Sequence, residues 1–269
     1  MSNDAEGSGS PCVLRSDDDG VATLTLNRPE RFNPLSEEMM AALAAHLRAI
    51  AADESVRVVV LAAQGKAFCA GHDLKQMRAQ PSQQYYKRLF DQCSKLMLAI
   101  QKLPQPVIAR VQGIATAAGC QLVSMCDLAV AAQDARFAVS GINVGLFCST
   151  PAVGLSRNVP RKQALEMLLT GDFIDAEVAR ERGLVNRVVP ADRLDAEVGK
   201  LCDSIRAKPA VAVAMGKAVF YQQLEMGMAA AYQLAGQTMA CNMMDEAALE
   251  GVQAFIEKRP PAWPQTGKQ

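Results

Sequence analysis

The sequence predicts an α/β fold in which a strand-rich, mixed first part gives way to an all-helical last part. Three observations carry this reading. The runs Val56–Ala62 and Val107–Val111 are dense in β-branched and apolar residues, as expected of strands buried on both faces. Amphipathic helical patterns alternate irregularly with such runs up to about residue 190. From there to Lys258 the chain reads as helix, broken at Pro209. Of the 269 residues 50% are hydrophobic and 21% charged, so a large core is expected and wholesale disorder is excluded. At ~100–200 residues per domain, the length allows one large domain or two small ones.

Residues 1–11, small and acidic, read as a disordered leader. The turn-forming run Asp17-Asp18-Asp19-Gly20 precedes a strand over Val21–Leu26, with a hairpin back to residues 12–16, and Asn27-Arg28-Pro29 stops it. Ser36 is placed to cap a helix running to Ala52, with Glu37 and Glu38 in its first turn; His46, on that helix, reads as a surface or packing residue. After the strand at 56–62, Gln64–Leu74 is too rich in glycine and small residues to be a regular element, and is the first place where backbone can face a ligand. An amphipathic helix over 82–102 ends at Pro104 and Pro106. A strand at 107–111, a turn at Gln112-Gly113 and a small-residue helix from Ala117 to Cys126 follow. Short strands at Leu128–Ala132 and Phe137–Val139, helices near 152–157, 161–169 and 175–182, and a strand over Leu184–Val189 complete the first part. No fixed-period repeat is visible.

Lys and Arg number 28 and Asp and Glu 28, a zero formal charge that argues against nucleic acid as partner, because such binding needs several phosphates neutralised. The eight cysteines form no C-x-x-C pair and read as reduced, packed thiols; with two isolated histidines they give no metal-ligand spacing, so no metal is expected. The polar, acidic first residues match neither a secretory signal nor an Arg-rich transit peptide, which leads to an expectation of a cytoplasmic protein. No apolar run reaches the ~18 residues of a membrane span, and no membrane partner is expected.

Three stretches in order resemble the crotonase superfamily, the enoyl-CoA hydratase/isomerase family: Asn27–Leu35, Ala67–Leu74, and Gly113–Leu122 running into Cys126-Asp127. The resemblance continues through Thr170-Gly171 and Gly183-Leu184-Val185 to Phe255–Pro261, covering nearly all the chain beyond the leader. It implies a ClpP/crotonase-like spiral of ββα units over 12–190, carrying an acyl-CoA site. It also implies a C-terminal helical region over 191–269 that builds homotrimers or hexamers and helps to close that site. Six of the thirteen methionines (Met215, Met226, Met228, Met239, Met243 and Met244) fall in that region at helical spacings, as core and subunit interface.

Members of this family stabilise a thioester enolate between two main-chain N–H groups. By the resemblance the donors here are the amides of His72 and Ala118. Ala118 has separate physical support, since it sits at the start of the expected 117–126 helix, where unpaired N–H groups and the helix dipole favour an oxyanion. Asp73 is expected to be structural, fixing the loop or capping a helix, and the His72 imidazole is a spare base. The resemblance lays coenzyme A, a substrate moiety and not a resident cofactor, along Glu30, Arg31, Phe32, Ala70, His72, Asp73 and Leu74, with Phe255, Lys258 and Arg259 closing over the nucleotide from the C-terminal end.

One departure decides what chemistry is expected. Hydratases of the family use two glutamates, and the matching positions here are Gln121 and Gly141. Losing general acid–base help costs ~10²–10⁴ per group, so hydration by the usual route is expected to be poor, and glutamates restored at both positions are expected to raise it. The position of an isomerase acid falls near Cys148-Ser149-Thr150, again without a carboxylate. Decarboxylation, which leans on the oxyanion hole, stays open; the alternative is a non-catalytic or weakly catalytic acyl-CoA binder. A Ser/His/Asp hydrolase is disfavoured: His72 and Asp73 are adjacent, and no G-x-S-x-G elbow is present.

Overall fold

The computed structural model describes residues 10–263, so residues 1–9 of the expected leader lie outside the described residues. Its last two, Ser10 and Pro11, are tied down: Asn27 Nδ2 donates to the Pro11 carbonyl (2.9 Å) and Arg28 Nη1 to that of Ser10 (2.9 Å). The hairpin forms as expected, β1 (Val13–Asp18) pairing antiparallel with β2 (Val21–Leu26) across Asp19 and Gly20, both at positive φ. Helix α1 (Glu37–Ala51) is capped by Ser36, whose hydroxyl accepts from the Met39 amide (3.2 Å).

A repeat that the sequence hides then emerges. The chain lays a long strand, β3 (Val58–Ala63), into a large sheet, turns, and lays a three-residue strand, β4 (Ala67–Cys69), into a small one. It returns through α2 (Leu74–Ala79) and α3 (Gln83–Lys102). The same move recurs as β5 (Val107–Val111), β6 (Ile114–Thr116) and α4 (Ala118–Met125). It recurs once more as β7 (Leu128–Ala132), β8 (Arg136–Ala138), α5 (Ser149–Asn158) and α6 (Arg161–Thr170). These are the ββα units, and their unequal helical returns are why no fixed period shows. A two-residue strand β9 (Ile174–Asp175), α7 (Ala176–Glu181) and β10 (Arg187–Val189) finish this part. The large sheet has the order β1-β2-β3-β5-β7-β10, parallel from β2 onward; the small one has the order β4-β6-β8-β9, parallel except at β9.

The main core lies between the sheets and α1, α3 and α4, with Phe68 and Phe137 fully buried. Burying such a side chain is worth ~1.5–3 kcal/mol. The boundary expected near residue 190 falls just before α8 (Leu194–Arg206), yet α8 packs on the spiral: Leu194, Val198 and Cys202 cover the outer face of the large sheet over Val58, Val60, Ile108 and Val130, forming a second, smaller core. Beyond it, α9 (Ala210–Leu224), α10 (Met228–Met243) and α11 (Glu246–Ile256) bury only Ala231, Ala247 and Ala254 within one protomer.

One polar network pins α9 to the spiral. The side chain of Lys217, 6% exposed, reaches the carbonyls of Ile100 and Gln105 (3.0 Å each) and the carboxylate of Asp127 (2.7 Å). Asp127 also accepts from Tyr221 Oη (2.8 Å) and the Val107 amide (2.7 Å). Every strong donor and acceptor in the group is satisfied, which is the condition under which a buried ion pair is tolerated.

Candidate active site

Strands β4, β6 and β8 run parallel, so their carboxyl ends emerge side by side, and the three segments that follow build one cavity of about 320 Å³. Residues 70–77 form one part of the wall, Ala117 and Ala118 a second, and 140–151 a third, with Phe90 from α3. Two glycines make the approach possible. A Cβ on Gly119 would lie 2.1 Å from the Cys69 carbonyl oxygen, and one on Gly71, at φ +92°, would lie 3.0 Å from the Ala117 Cβ. The end of β4 thus packs backbone to backbone on the start of α4. Ala117, just ahead of α4, adopts φ +50°, a strained value for a residue with a Cβ that recurs at functional sites.

Two consequences follow for the main chain. Gln121 N is the first amide of α4 to bond back, to the Ala117 carbonyl (3.0 Å). Among the described residues no main-chain carbonyl accepts from the N–H of Ala118 or of His72, and both residues line the cavity. Leu35 N, by contrast, bonds the Gly71 carbonyl (2.8 Å) and Ala70 N that of Phe32 (3.0 Å), which fixes the loop bearing His72.

The His72 ring is held on two sides. Nδ1 lies 3.1 Å from the Leu35 carbonyl, which can only accept, so Nδ1 carries the proton; Phe90 packs against the ring at 5.7 Å. Nε2 is buried without a partner. Burial pushes the imidazole below its ordinary pKa of 6.5, opposed by the Leu35 bond, so the side chain is a neutral acceptor at pH 7.

Asp73 caps α2, its Oδ1 accepting from Lys75 N (3.0 Å) and Gln76 N (3.2 Å), in line with the structural role expected for it. Its other oxygen pairs with Arg31. Glu30, Arg31 and Phe32 are exposed beside this cap but not on the cavity wall, while Ala70 and Leu74 are on it. The loop they stand on is fixed by Asn33, which is fully buried. Its Nδ2 donates to the carbonyls of Gln64 and Ala67 (2.9 Å each) and its Oδ1 accepts from Arg28 N (2.8 Å). Asn33 was not singled out in the sequence; its signal is a polar residue that tolerates positive φ just before Pro34.

The remaining expected residues separate. Gln121 is buried, with its amide oxygen facing the Cys93 thiol (3.9 Å), and it does not line the cavity. Phe255, Lys258 and Arg259 stand at the exposed end of α11 and do not reach the cavity of their own protomer; Arg259 is engaged by Glu250 and Glu257. Gly141 does line it, but a Cβ there would lie 2.5 Å from the Leu146 carbonyl oxygen and 2.7 Å from Cys148 Sγ. No side chain can be seated at 141 without moving the 146–148 turn, so a glutamate restored there meets a steric obstacle that the sequence does not reveal. Met77 and Phe90, not picked out as site residues in the sequence, complete the wall with Cys148, which stands where an isomerase acid is expected. They come from segments whose meeting depends on the small sheet.

The pattern of an enoyl-CoA hydratase/isomerase matches residues 16–266. The chain belongs to the enoyl-CoA hydratase/isomerase family. Among relatives, it is 44% identical to rat enoyl-CoA hydratase domain-containing protein 3, mitochondrial, over 91% of this chain and 82% of that protein. The human counterpart is 43% identical over 91% and 81%. Among solved structures, an enoyl-CoA hydratase of Mycobacterium smegmatis superposes with a TM-score of 0.93 at 66% identity, over 94% of this chain and 99% of that one. Human enoyl-CoA hydratase domain-containing protein 3 superposes with a TM-score of 0.91 at 42% identity, over 94% and 100%. The expected spiral with C-terminal helices is therefore the fold of this family. The cytoplasmic expectation is corrected: rat, mouse, frog, human and zebrafish relatives of this family are named mitochondrial. A polar, acidic opening stretch says only what those residues are not; it does not fix a compartment.

Proposed function

We propose that this chain binds coenzyme A thioesters and stabilises their enolates, with the thioester oxygen held between the amides of His72 and Ala118. The observation that carries this reading is that pair of N–H groups without main-chain acceptors, forced together at a cavity with largely apolar walls. Donors fixed in advance toward a developing oxyanion are worth ~10²–10³ in rate each. The acyl chain lies along Leu74, Met77, Phe90 and Phe147, and the nucleotide lies outside, along Glu30, Arg31 and Phe32. Arg31 meets phosphate while keeping Asp73 on its other side.

The exposed apolar residues of the C-terminal helices, among them Phe220, Met228, Tyr232, Met239, Met244, Phe255 and Ile256, support self-association as a homotrimer or hexamer. In such an assembly Phe255 and Lys258 close the nucleotide end of a neighbouring site. Classical hydration is weak, since among the described residues no carboxylate lines the cavity. That same observation favours a second reading, an acyl-CoA binder with little catalysis.

Calorimetry with butyryl-CoA and coenzyme A tests the binding. Micromolar affinity for the thioester supports the reading, and no heat at millimolar ligand overturns it. Exchange of the α-hydrogens of butyryl-CoA with deuterated water separates enzyme from binder, because exchange requires the enolate.

A further inference from the structure

The two amides at the cavity are held unequally. Each belongs to a planar trans peptide, so the direction of its N–H is set by whatever holds the carbonyl on the other edge of the same plane. For Ala118 that carbonyl is Ala117 O, which accepts from Gln121 N (3.0 Å) in the first turn of α4, while Ala117 N donates to Ala138 O (3.0 Å). α4 buries seven of its eight residues, so this plane is fixed by a helix seated in the core. For His72 the carbonyl is Gly71 O, which accepts from Leu35 N (2.8 Å). That pairing of residues 35 and 72 is an isolated bridge outside any strand. Gly71 ahead of it sits at φ +92° with no side chain to restrain it, and α2 behind it buries none of its residues. A second tie at residue 72 comes from the ring, whose Nδ1 donates to the carbonyl of the same Leu35 (3.1 Å) and which packs edge to face on Phe90. Leu35 thus grips residue 72 twice, through its N–H and through its C=O.

We propose that the His72 side chain is a positioning residue for the oxyanion hole: its Nδ1–H bond to the Leu35 carbonyl holds the peptide plane whose own N–H meets the thioester oxygen. This rests on the acyl-CoA reading above. Hole donors are effective because they are fixed before charge develops. Without the ring, a single hydrogen bond at Gly71 O resists rotation of the plane about its Cα–Cα line, and the N–H swings off the oxygen. What the role requires is a donor at the Nδ1 position, on the ring edge away from the unpartnered Nε2, and not a base. An asparagine at 72 carries Nδ2 the same number of bonds from the main chain as the imidazole Nδ1, so it can make the bond to Leu35 with no titrating group. A leucine has the same branching and no donor.

The thioester carbonyl itself is the readout, because α-hydrogen exchange would fall equally if the ring served only as a base. With butyryl-CoA carrying a heavy carbon isotope at the carbonyl, infrared difference spectra of the full chain report hydrogen bonding as a shift of the C=O stretch to lower frequency. Calorimetry with the same ligand shows that each variant is folded and filled. The parent is expected to show the full shift, His72→Leu less than half of it, and His72→Asn to restore most of it. Exchange in His72→Leu is expected to fall on the order of 10²-fold, the cost of a ~1 Å misplacement. His72→Ala, which leaves more room, is expected to behave as His72→Leu and stands in for it if leucine does not fit. An equal shift in all the chains, or a shift in His72→Asn no larger than in His72→Leu, overturns the proposal and leaves the acyl-CoA reading standing. No shift in the parent with the thioester bound overturns the oxyanion hole and this proposal together, and absence of binding overturns the acyl-CoA reading as well.

Discussion

Gly119→Ala perturbs the site at the place where its two halves touch. The added methyl would sit 2.1 Å from the Cys69 carbonyl oxygen and 2.8 Å from its carbon, both backbone atoms that cannot swing aside. Ordinary C···O contact begins at about 3.3 Å, so β4 and the start of α4 must part by roughly 1 Å. Gly119 follows Ala118 directly, and His72 lies three residues beyond Cys69, so the displacement separates the two amides proposed to share the thioester oxygen. A misplacement of ~1 Å costs on the order of 10²-fold in rate, while overpacking costs ~1–3 kcal/mol. The expected result is about a hundredfold loss of α-hydrogen exchange from butyryl-CoA, with binding weakened far less, because the proposed acyl and nucleotide contacts lie elsewhere. Urea unfolding should show the stability loss beside it. Exchange within threefold of the parent, with unfolding shifted by less than about 0.5 kcal/mol, would refute the close-approach argument.

Other consequences can be measured in the same assays. Gln121→Glu with Gly141→Glu is expected to leave crotonyl-CoA hydration unimproved and to cost ~1–3 kcal/mol by overpacking against the Leu146 carbonyl; a tenfold gain in turnover would show that the turn yields. Lys217→Met strands Asp127 in the core and should destabilise by ~3–5 kcal/mol, whereas Lys217→Met with Asp127→Leu should recover part of that loss; additive losses in chemical unfolding would contradict the pairing. For His72 the folded pKa lies below 6.5, so as pH falls the unfolded chain takes up the proton first. Its contribution is complete above about pH 6.5 and is lost as pH falls through the folded value. Relative to the parent, His72→Gln should therefore show a flatter decline in stability between pH 7 and 5; identical slopes would mean that the ring titrates freely.

What the sequence made legible is what depends on local patterns. Ser36 before two glutamates marks a cap whatever the helix packs on, and the β-branched run at 56–62 is a buried strand in any setting. β4 and β6 were not legible, because three-residue strands in glycine-rich stretches exist only through long-range pairing with each other and with β8. α2 was missed for a related reason: it buries no residue and leaves no periodic signature. In the site, the cap by Asp73 follows from residue type and position. The thiol beside Gly141 does not, since that meeting is made by a turn whose geometry no residue in 142–147 announces. The methionines expected as core and interface divide unequally: Met228, Met239 and Met244 are 75%, 72% and 78% exposed in one protomer, so packing within the chain does not account for them.

Asn33 gives the segment proposed to meet the nucleotide its character. One amide side chain ties the backbone at 28 to the link after β3 and to the start of β4 through three hydrogen bonds, each worth ~0.5–1.5 kcal/mol. The segment carrying Glu30, Arg31 and Phe32 is therefore already in its final shape before any ligand arrives. A flexible loop of that size would forfeit conformational entropy of ~1–2 kcal/mol for each residue it ordered on binding. Here that loss is met once, during folding, and the affinity for a bulky anionic ligand is correspondingly less diminished by it.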